Sequence, residues 1–245
     1  MKIIISPAKT MRDNEDTFDI EQKPLFIKEA ETLLKVLKPL SIEELMQLMK
    51  CNRKIAELNW HRFQTMDLNR SLLPALFTYD GLQYKSMAPH IFTEEEAEYV
   101  KNHLVILSGF YGLLRPMDGV RFYRLEMQTE LSGDTWENLY DFWKDKIYQQ
   151  LKGEPIINLA SKEYSKVIED YLQPEDQFIT CIFGELVNGK VKVKGTLAKM
   201  ARGAMVRWMA ENQVTEAHQL KKFNGQGFVF CDALSNETEY VYIKE

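Results

Sequence analysis

The stretch LVNGKVKVKGTLAKMARGAMVRWMA (residues 186–210) changes its hydrophobic period half way along, and that change decides the fold class. Up to Lys194 the run KVKVK alternates with period two behind Asn188-Gly189, the strongest short hairpin signal. A strand pair is expected there, with Lys190, Lys192 and Lys194 on one face and Val191 and Val193 on the other. From Gly195 the apolar residues Leu197, Met200, Ala201, Ala204, Met205, Trp208 and Met209 fall at helical intervals. Lys199 and Arg202 are then expected on the opposite, solvent side of the helix, with Arg207 on its flank. Gly203 sits mid-helix, where it costs about 1 kcal/mol relative to Ala, so it is expected to admit something close to the backbone. Strand passing directly into helix reads as α/β.

The same stretch organises the charge. It holds six Lys or Arg and no acid, whereas the whole chain has 31 basic and 36 acidic residues, so the remainder carries 25 against 36. A local cationic island on an acidic chain predicts an anionic partner. Lysines on an edge strand also guard against edge-to-edge pairing, and basic residues opposite an apolar stripe also serve as a solvated face.

With 245 residues, 45% of them apolar, the chain can build a substantial core without linkers, repeats or low-complexity tracts. MKIIIS has too few apolar residues for a signal core, and no run approaches membrane-spanning length, so a soluble, cytoplasmic protein without membrane partners is expected. Cys51, Cys181 and Cys231 are scattered and form no C-x-x-C, and no Glu-x-x-His pair of the ferritin kind occurs, so neither metal nor cofactor is expected. Glu57 and His61 share a helical face and read as a surface contact.

Working outward, residues 3–6 read as a buried strand that delivers Lys9 to a loop at its carboxyl end, where ligands collect in α/β proteins. Helices are expected over 25–37, 42–50 (with a Ser41/Glu44 capping box), 52–66 and from Thr93, capped with Glu96, to 102. Residues 76–89 mix aromatic strand formers with a Tyr79-Asp80-Gly81 turn and carry Tyr84. The strand LVIL (104–107) leads into SGFYGLLRPMDGVRFYRLEM (108–127), which joins turn glycines to Tyr111, Arg115, Arg121, Tyr123, Arg124, Asp118 and Glu126. Guanidinium groups grip phosphate or carboxylate, tyrosines stack on bases and an acid transfers protons, so these parts suit a nucleotide-like small molecule. The competing reading is that Arg115, Arg124, Asp118 and Glu126 neutralise one another and brace an irregular connection. An aromatic helix is expected over 136–151. The strand PIINLA (155–160) then brings Asn158, Ser161, Glu163 and Tyr164 to a second strand end, with Ser161 capping the next helix. A strand over 178–186, a short helix over 214–223 and two antiparallel strands complete the chain, with Gly225-Gln226-Gly227 as a turn.

SPAKT (6–10), Gly81 with Tyr84, LSGFYGLLRPMD (107–118), YRLEM (123–127), LYDFW (139–143), NLASKEY (158–164) and AKMARGAM (198–205) resemble, in order, the motifs of the YaaA family of bacterial peroxide stress proteins. The resemblance spans the chain. It implies one α/β body over 1–245, with a mixed sheet, surrounding helices, a positively charged cleft and a helix-hairpin-helix-like element. It also implies DNA binding (single-stranded, duplex or branched) and lowered iron-dependent damage in the cytoplasm. Carried over residue by residue, it points to Lys190, Lys192, Lys194, Lys199, Arg202 and Arg207 for nucleic acid. Lys9, Tyr84, Arg115, Arg124, Asn158 and Ser161 are then expected in an anion cleft, and Glu126, Glu163 and Tyr111 as candidate catalytic groups. Leu82, Ser86, Leu197 and Met200 depart from the family pattern, the last two where a Tyr and a Lys are frequent. Three functions stand side by side: a DNA-binding stress protein, an enzyme acting on a nucleobase, nucleotide or damaged DNA, and a redox enzyme that uses a reactive thiol at Cys181 or Cys231.

Overall fold

In the computed structural model, which describes residues 1–13 and 18–244, the three most apolar short runs form the middle of one eight-stranded mixed sheet. These are β1 (Lys2–Ile5), β2 (Leu104–Ser108) and β4 (Ile156–Leu159). Each is covered on both faces, which is why Ile3, Ile4 and Ile5 can be consecutive and all fully buried. The other strands are β3 (Gly112–Leu114), β5 (Phe178–Val187), β6 (Lys190–Lys192), β7 (Phe228–Phe230) and β8 (Glu239–Lys244). The order is β7-β8-β5-β4-β1-β2-β3, with β6 folded back on β5. The pairs β1/β2, β1/β4, β4/β5 and β5/β8 are parallel, and β2/β3, β5/β6 and β7/β8 are antiparallel. From β1 the chain proceeds to one side, to β2, and from β4 to the other, to β5. The crevice between the carboxyl ends of β1 and β4 is therefore the topological switch point, where ligands bind in open α/β sheets.

Helices α1 (Ile27–Leu37), α2 (Ile42–Leu48) and α3 (Arg53–Thr65) follow closely the expected runs. So does α5 (Glu94–His103), and the capping boxes at Ser41/Glu44 and Thr93/Glu96 both form. Residues 76–89 depart from the strand reading. They make one helical turn (Ala75–Thr78), a two-residue strand (Tyr79–Asp80) paired with Thr10–Met11, and α4 (Leu82–Met87). Their aromatic residues face a core that wants bulk and is indifferent to β propensity. The aromatic stretch 136–151 is two short helices, Leu139–Trp143 and Lys146–Gln149, broken at Lys144, which has φ 46°. The helix α6 (Lys162–Glu169) starts where expected, but the Ser161 side chain makes no cap bond. Instead it meets Ser6 across the crevice.

The basic stretch folds as its periods demand up to a point. Asn188 and Gly189, at φ 51° and 75°, turn β5 into β6, the conformation that Asn-Gly favours. The helix α7 runs over Gly195–Glu211. At Gly203 an added Cβ would stand 2.0 Å from the Gln83 carbonyl oxygen, so the backbones of α7 and α4 touch. That approach encloses a second flank of α7. Its buried residues include Ala198, Gly203, Val206 and Ala210 besides Ala201, Met205 and Met209. The burial is wider than one stripe. Arg202, expected on the solvent side, is consequently half-buried, with its Nε shut off from water. The turn Gly225–Gly227 lies between the 3-10 segment Ala217–Lys222 and β7. No helix among the described residues is long and apolar enough to cross a membrane.

Candidate functional site

A cavity of about 320 Å³ opens over the switch point. One wall is the Ser6–Thr10 loop that follows β1, held down because the Tyr84 hydroxyl donates to the Ser6 carbonyl at 3.0 Å. Gln83, beside it on α4, donates to the Leu159 carbonyl at 3.3 Å and so fastens the same helix to the end of β4. The Ser161 backbone N–H donates to Ser6 Oγ at 2.8 Å, and Ser6 Oγ lies 3.2 Å from Ser161 Oγ. These bonds fix the carboxyl ends of β1 and β4 as one rim.

The opposite wall comes from the loop after β3. Arg124 Nη2 and Lys9 Nζ reach Glu126 Oε1 at 3.0 and 2.8 Å. Burial pushes the Glu126 carboxyl up, but the two cations outweigh it and hold the group below its ordinary value. Glu163, from the first turn of α6, lines the same cavity and accepts from the Gln128 N–H at 3.3 Å. Burial and the Glu126 charge push its carboxyl up. Two acids on one cavity are therefore displaced in opposite directions. The third side is α7, which contributes Lys199 and Arg202.

Under the floor the hydroxyls of Tyr79, Tyr123 and Ser108 form a chain of 2.6 and 2.5 Å contacts, and burial pushes the Tyr123 phenol up to about 12. Ser108 Oγ also accepts the N–H groups of Phe110 and Tyr111, so the chain anchors the turn after β2.

The structure thus brings Lys9, Tyr84, Arg124, Glu126, Ser161, Glu163, Lys199 and Arg202 to one cavity. It puts the other candidates elsewhere. Tyr111 is fully buried and accepts from the Arg121 N–H at 3.0 Å. Arg115 binds Asp118 at 3.0 Å and donates to the Lys23 carbonyl, bracing the loop as the competing reading had it for this pair. Asn158 is buried within the sheet, donating to Thr180 Oγ1 at 3.2 Å and accepting the Ala160 N–H at 2.9 Å. Lys190 and Lys192 are exposed on the hairpin, Lys194 pairs with Glu185 at 2.6 Å, and Arg207 pairs with Glu211 at 2.7 Å. Tyr123 and Tyr164, from the two strand-end clusters, line the cavity too, as do Asp80, Leu82 and Gln83, to which the sequence assigns no ligand role. The strand–turn–helix placing of Asp80 to Gln83 carries no local signature of a cavity wall.

No group of three or more His, Cys, Asp or Glu among the described residues is placed to hold a metal ion. Burial pushes the Cys181 thiol up to about 12, leaving it protonated at neutral pH.

Fold and site together define an α/β protein with a ligand-sized, cation-rich cavity at the switch point of its sheet. A family model described as peroxide stress protein YaaA matches residues 1–234. The chain is also 49% identical to a UPF0246 protein of Desulfitobacterium hafniense, over 100% of this chain and 98% of that one. Against a UPF0246 protein of Ligilactobacillus salivarius the identity is 48%, over 100% of both. A UPF0246 protein of Pediococcus pentosaceus matches at 47%, over 100% of this chain and 98% of its own. The chain belongs to the YaaA (UPF0246) family of peroxide stress proteins, and a general role in peroxide stress comes with that membership.

Proposed function

We propose that the protein serves the peroxide stress response by binding DNA through phosphate contacts, with little base readout, in the cytoplasm. The observation that carries this reading is that one basic run supplies two successive sets of cations. Lys190 and Lys192 stand exposed on the β5–β6 hairpin, and Lys199 and Arg202 continue the charge into the cavity. Exposed lysines exchange counterions with the DNA backbone, whereas a cavity of about 320 Å³ has room for one nucleotide unit and not for a duplex. Single-stranded, nicked or branched DNA, which offers such units, is the favoured form. Protection from iron-dependent damage then acts at its target, the DNA. The test is fluorescence anisotropy with single-stranded, duplex and branched DNA over a salt series, using the native protein and a Lys190→Ala/Lys192→Ala/Lys199→Ala variant. Affinity should fall steeply with salt, at a slope of about −0.9 for each duplex phosphate neutralised, and the slope should flatten in the variant. An unchanged slope removes the hairpin from the DNA interface.

A second reading, an enzyme acting on a nucleobase, nucleotide or damaged DNA, is favoured by the opposed displacement of Glu126 and Glu163. Two carboxyl groups whose proton affinities are pushed apart are what acid and base roles need. Glu163 would donate a proton, and Glu126 would hold Lys9 and Arg124 against the anionic part of the ligand. Loss of peroxide protection in Glu163→Gln with DNA binding intact supports chemistry. Loss of both properties, or of neither, counts against it.

A further inference from the structure

Arg202 is the most unusual charge in the molecule. Its Nε has no exposed surface and no hydrogen-bond partner, and the residue makes no ion pair among the described residues. A half-buried guanidinium with no acid beside it is unfavourable, so its neighbours matter. Glu126 is occupied by Arg124 and Lys9. Asp80, whose buried Oδ1 likewise has no hydrogen-bond partner, stands 3.2 Å from Lys85 and makes no ion pair with Arg202. Glu163 takes the Gln128 N–H, and the Cys181 thiol stays protonated. None of these acids neutralises Arg202. Lys199, one helical turn before it on the same side of α7, is likewise without an acid partner among the described residues.

We infer that the α7 side of the cavity, where Arg202 lies half-buried and Lys199 stands at the rim, is a subsite for a terminal phosphate monoester. The position is the one where open α/β sheets receive phosphate, and α6 opens at the same rim. Ser161 Oγ can accept from Ser6 Oγ, 3.2 Å away, and still has its own proton to donate into the cavity. Two cations match the dianion of a monoester. An internal phosphodiester carries a single negative charge, so the pair of cations favours the monoester over it. A phosphorylated DNA end and a free nucleotide present the same group. The first source rests on the DNA reading, and the second does not.

Calorimetry on the full-length protein with inorganic phosphate, 5′-dAMP and deoxyadenosine tests the subsite. The 5′-dAMP should bind and deoxyadenosine should bind about 30-fold more weakly or worse, with Arg202→Met weakening 5′-dAMP by a similar factor. Without ligand, Arg202→Met should melt no lower than the native protein, because it removes an uncompensated charge. Lys199→Ala, at an exposed rim position, supplies a variant with no folding risk and should weaken 5′-dAMP about tenfold. Equal binding of nucleotide and nucleoside, or full nucleotide affinity in both variants, overturns the proposal. A parallel titration compares a duplex bearing 5′-phosphates with one bearing 5′-hydroxyls. Preference for the phosphorylated duplex makes the DNA end the source, and preference shown only for 5′-dAMP makes it the free nucleotide. Loss of salt-dependent duplex binding with 5′-dAMP affinity retained would sink the DNA reading and leave the subsite standing.

Discussion

Two arginine–carboxylate pairs stand in one loop, Arg115 with Asp118 and Arg124 with Glu126, and they do opposite things. The first carboxylate is wholly enclosed and accepts the Arg115 N–H and Nε as well as closing the ion pair, so it holds the backbone of residues 115–118. The second faces the cavity and collects two cations, one of them on an exposed lysine. The acid is displaced upward in the first pair, where burial wins, and downward in the second, where the cations win. The same pairing of arginine with a carboxylate therefore serves structure or site according to whether water and a second cation reach the carboxylate.

The largest expected effect breaks this comparison at the enclosed pair. Asp118→Ala leaves the Arg115 N–H and guanidinium without their acceptor and should destabilise the fold by about 3 kcal/mol in urea denaturation, whereas Glu126→Ala should cost about 1 kcal/mol. Equal losses would show that both pairs are structural.

The pH response comes next and has opposite signs. Native Asp118 keeps its proton to about pH 6, against 3.8 for the free carboxyl, so the native state binds more protons between those values. Its contribution is complete below about pH 4 and fades as pH rises through 6, by roughly 3 kcal/mol at most. Glu126, displaced below 4.5, contributes above that pH and loses its contribution as pH falls. Denaturant midpoints across pH 3 to 7, roughly the range of both carboxyls, should flatten at the upper end in Asp118→Asn and at the lower end in Glu126→Gln. Matching profiles in the two variants would refute the assignment.

A smaller effect concerns ligand affinity. Glu126→Gln removes a negative charge from the cavity and should strengthen 5′-dAMP or DNA binding by about threefold to tenfold at low salt, while Asp118→Asn should leave it unchanged. The smallest is Lys9→Ala. Lys9 is mostly exposed, so its ion pair should contribute no more than about 0.5 kcal/mol to stability, and any larger change belongs to the loop instead.

Much of this architecture was readable. Runs such as Ile3 to Ile5 and LVIL at 104–107 declare buried parallel strands, Ser41/Glu44 and Thr93/Glu96 declare helix starts, and Asn188-Gly189 declares a hairpin, because each depends on contacts within a few residues. Residues 76–89 misled because aromatic residues satisfy a core from a helix as well as from a strand. Of the cleft candidates, Lys9, Tyr84, Arg124 and Ser161 converge on the cavity. Tyr111, Arg115 and Asn158 lie off it, since the same loop and strand end also need polar groups to satisfy their own backbone.

By itself the sequence determined the strands, the caps, the hairpin, the period of α7 and the presence of a cationic island, all of them local or compositional properties. Only the tertiary structure decided which charges are neutralised. How far Arg202 is withdrawn from water depends on Gly203 letting α4 against α7, and Glu126 is held below its ordinary value not by its neighbour Arg124 alone but also by Lys9, more than a hundred residues away along the chain. Pairing and desolvation act through space, so a one-dimensional pattern does not encode them.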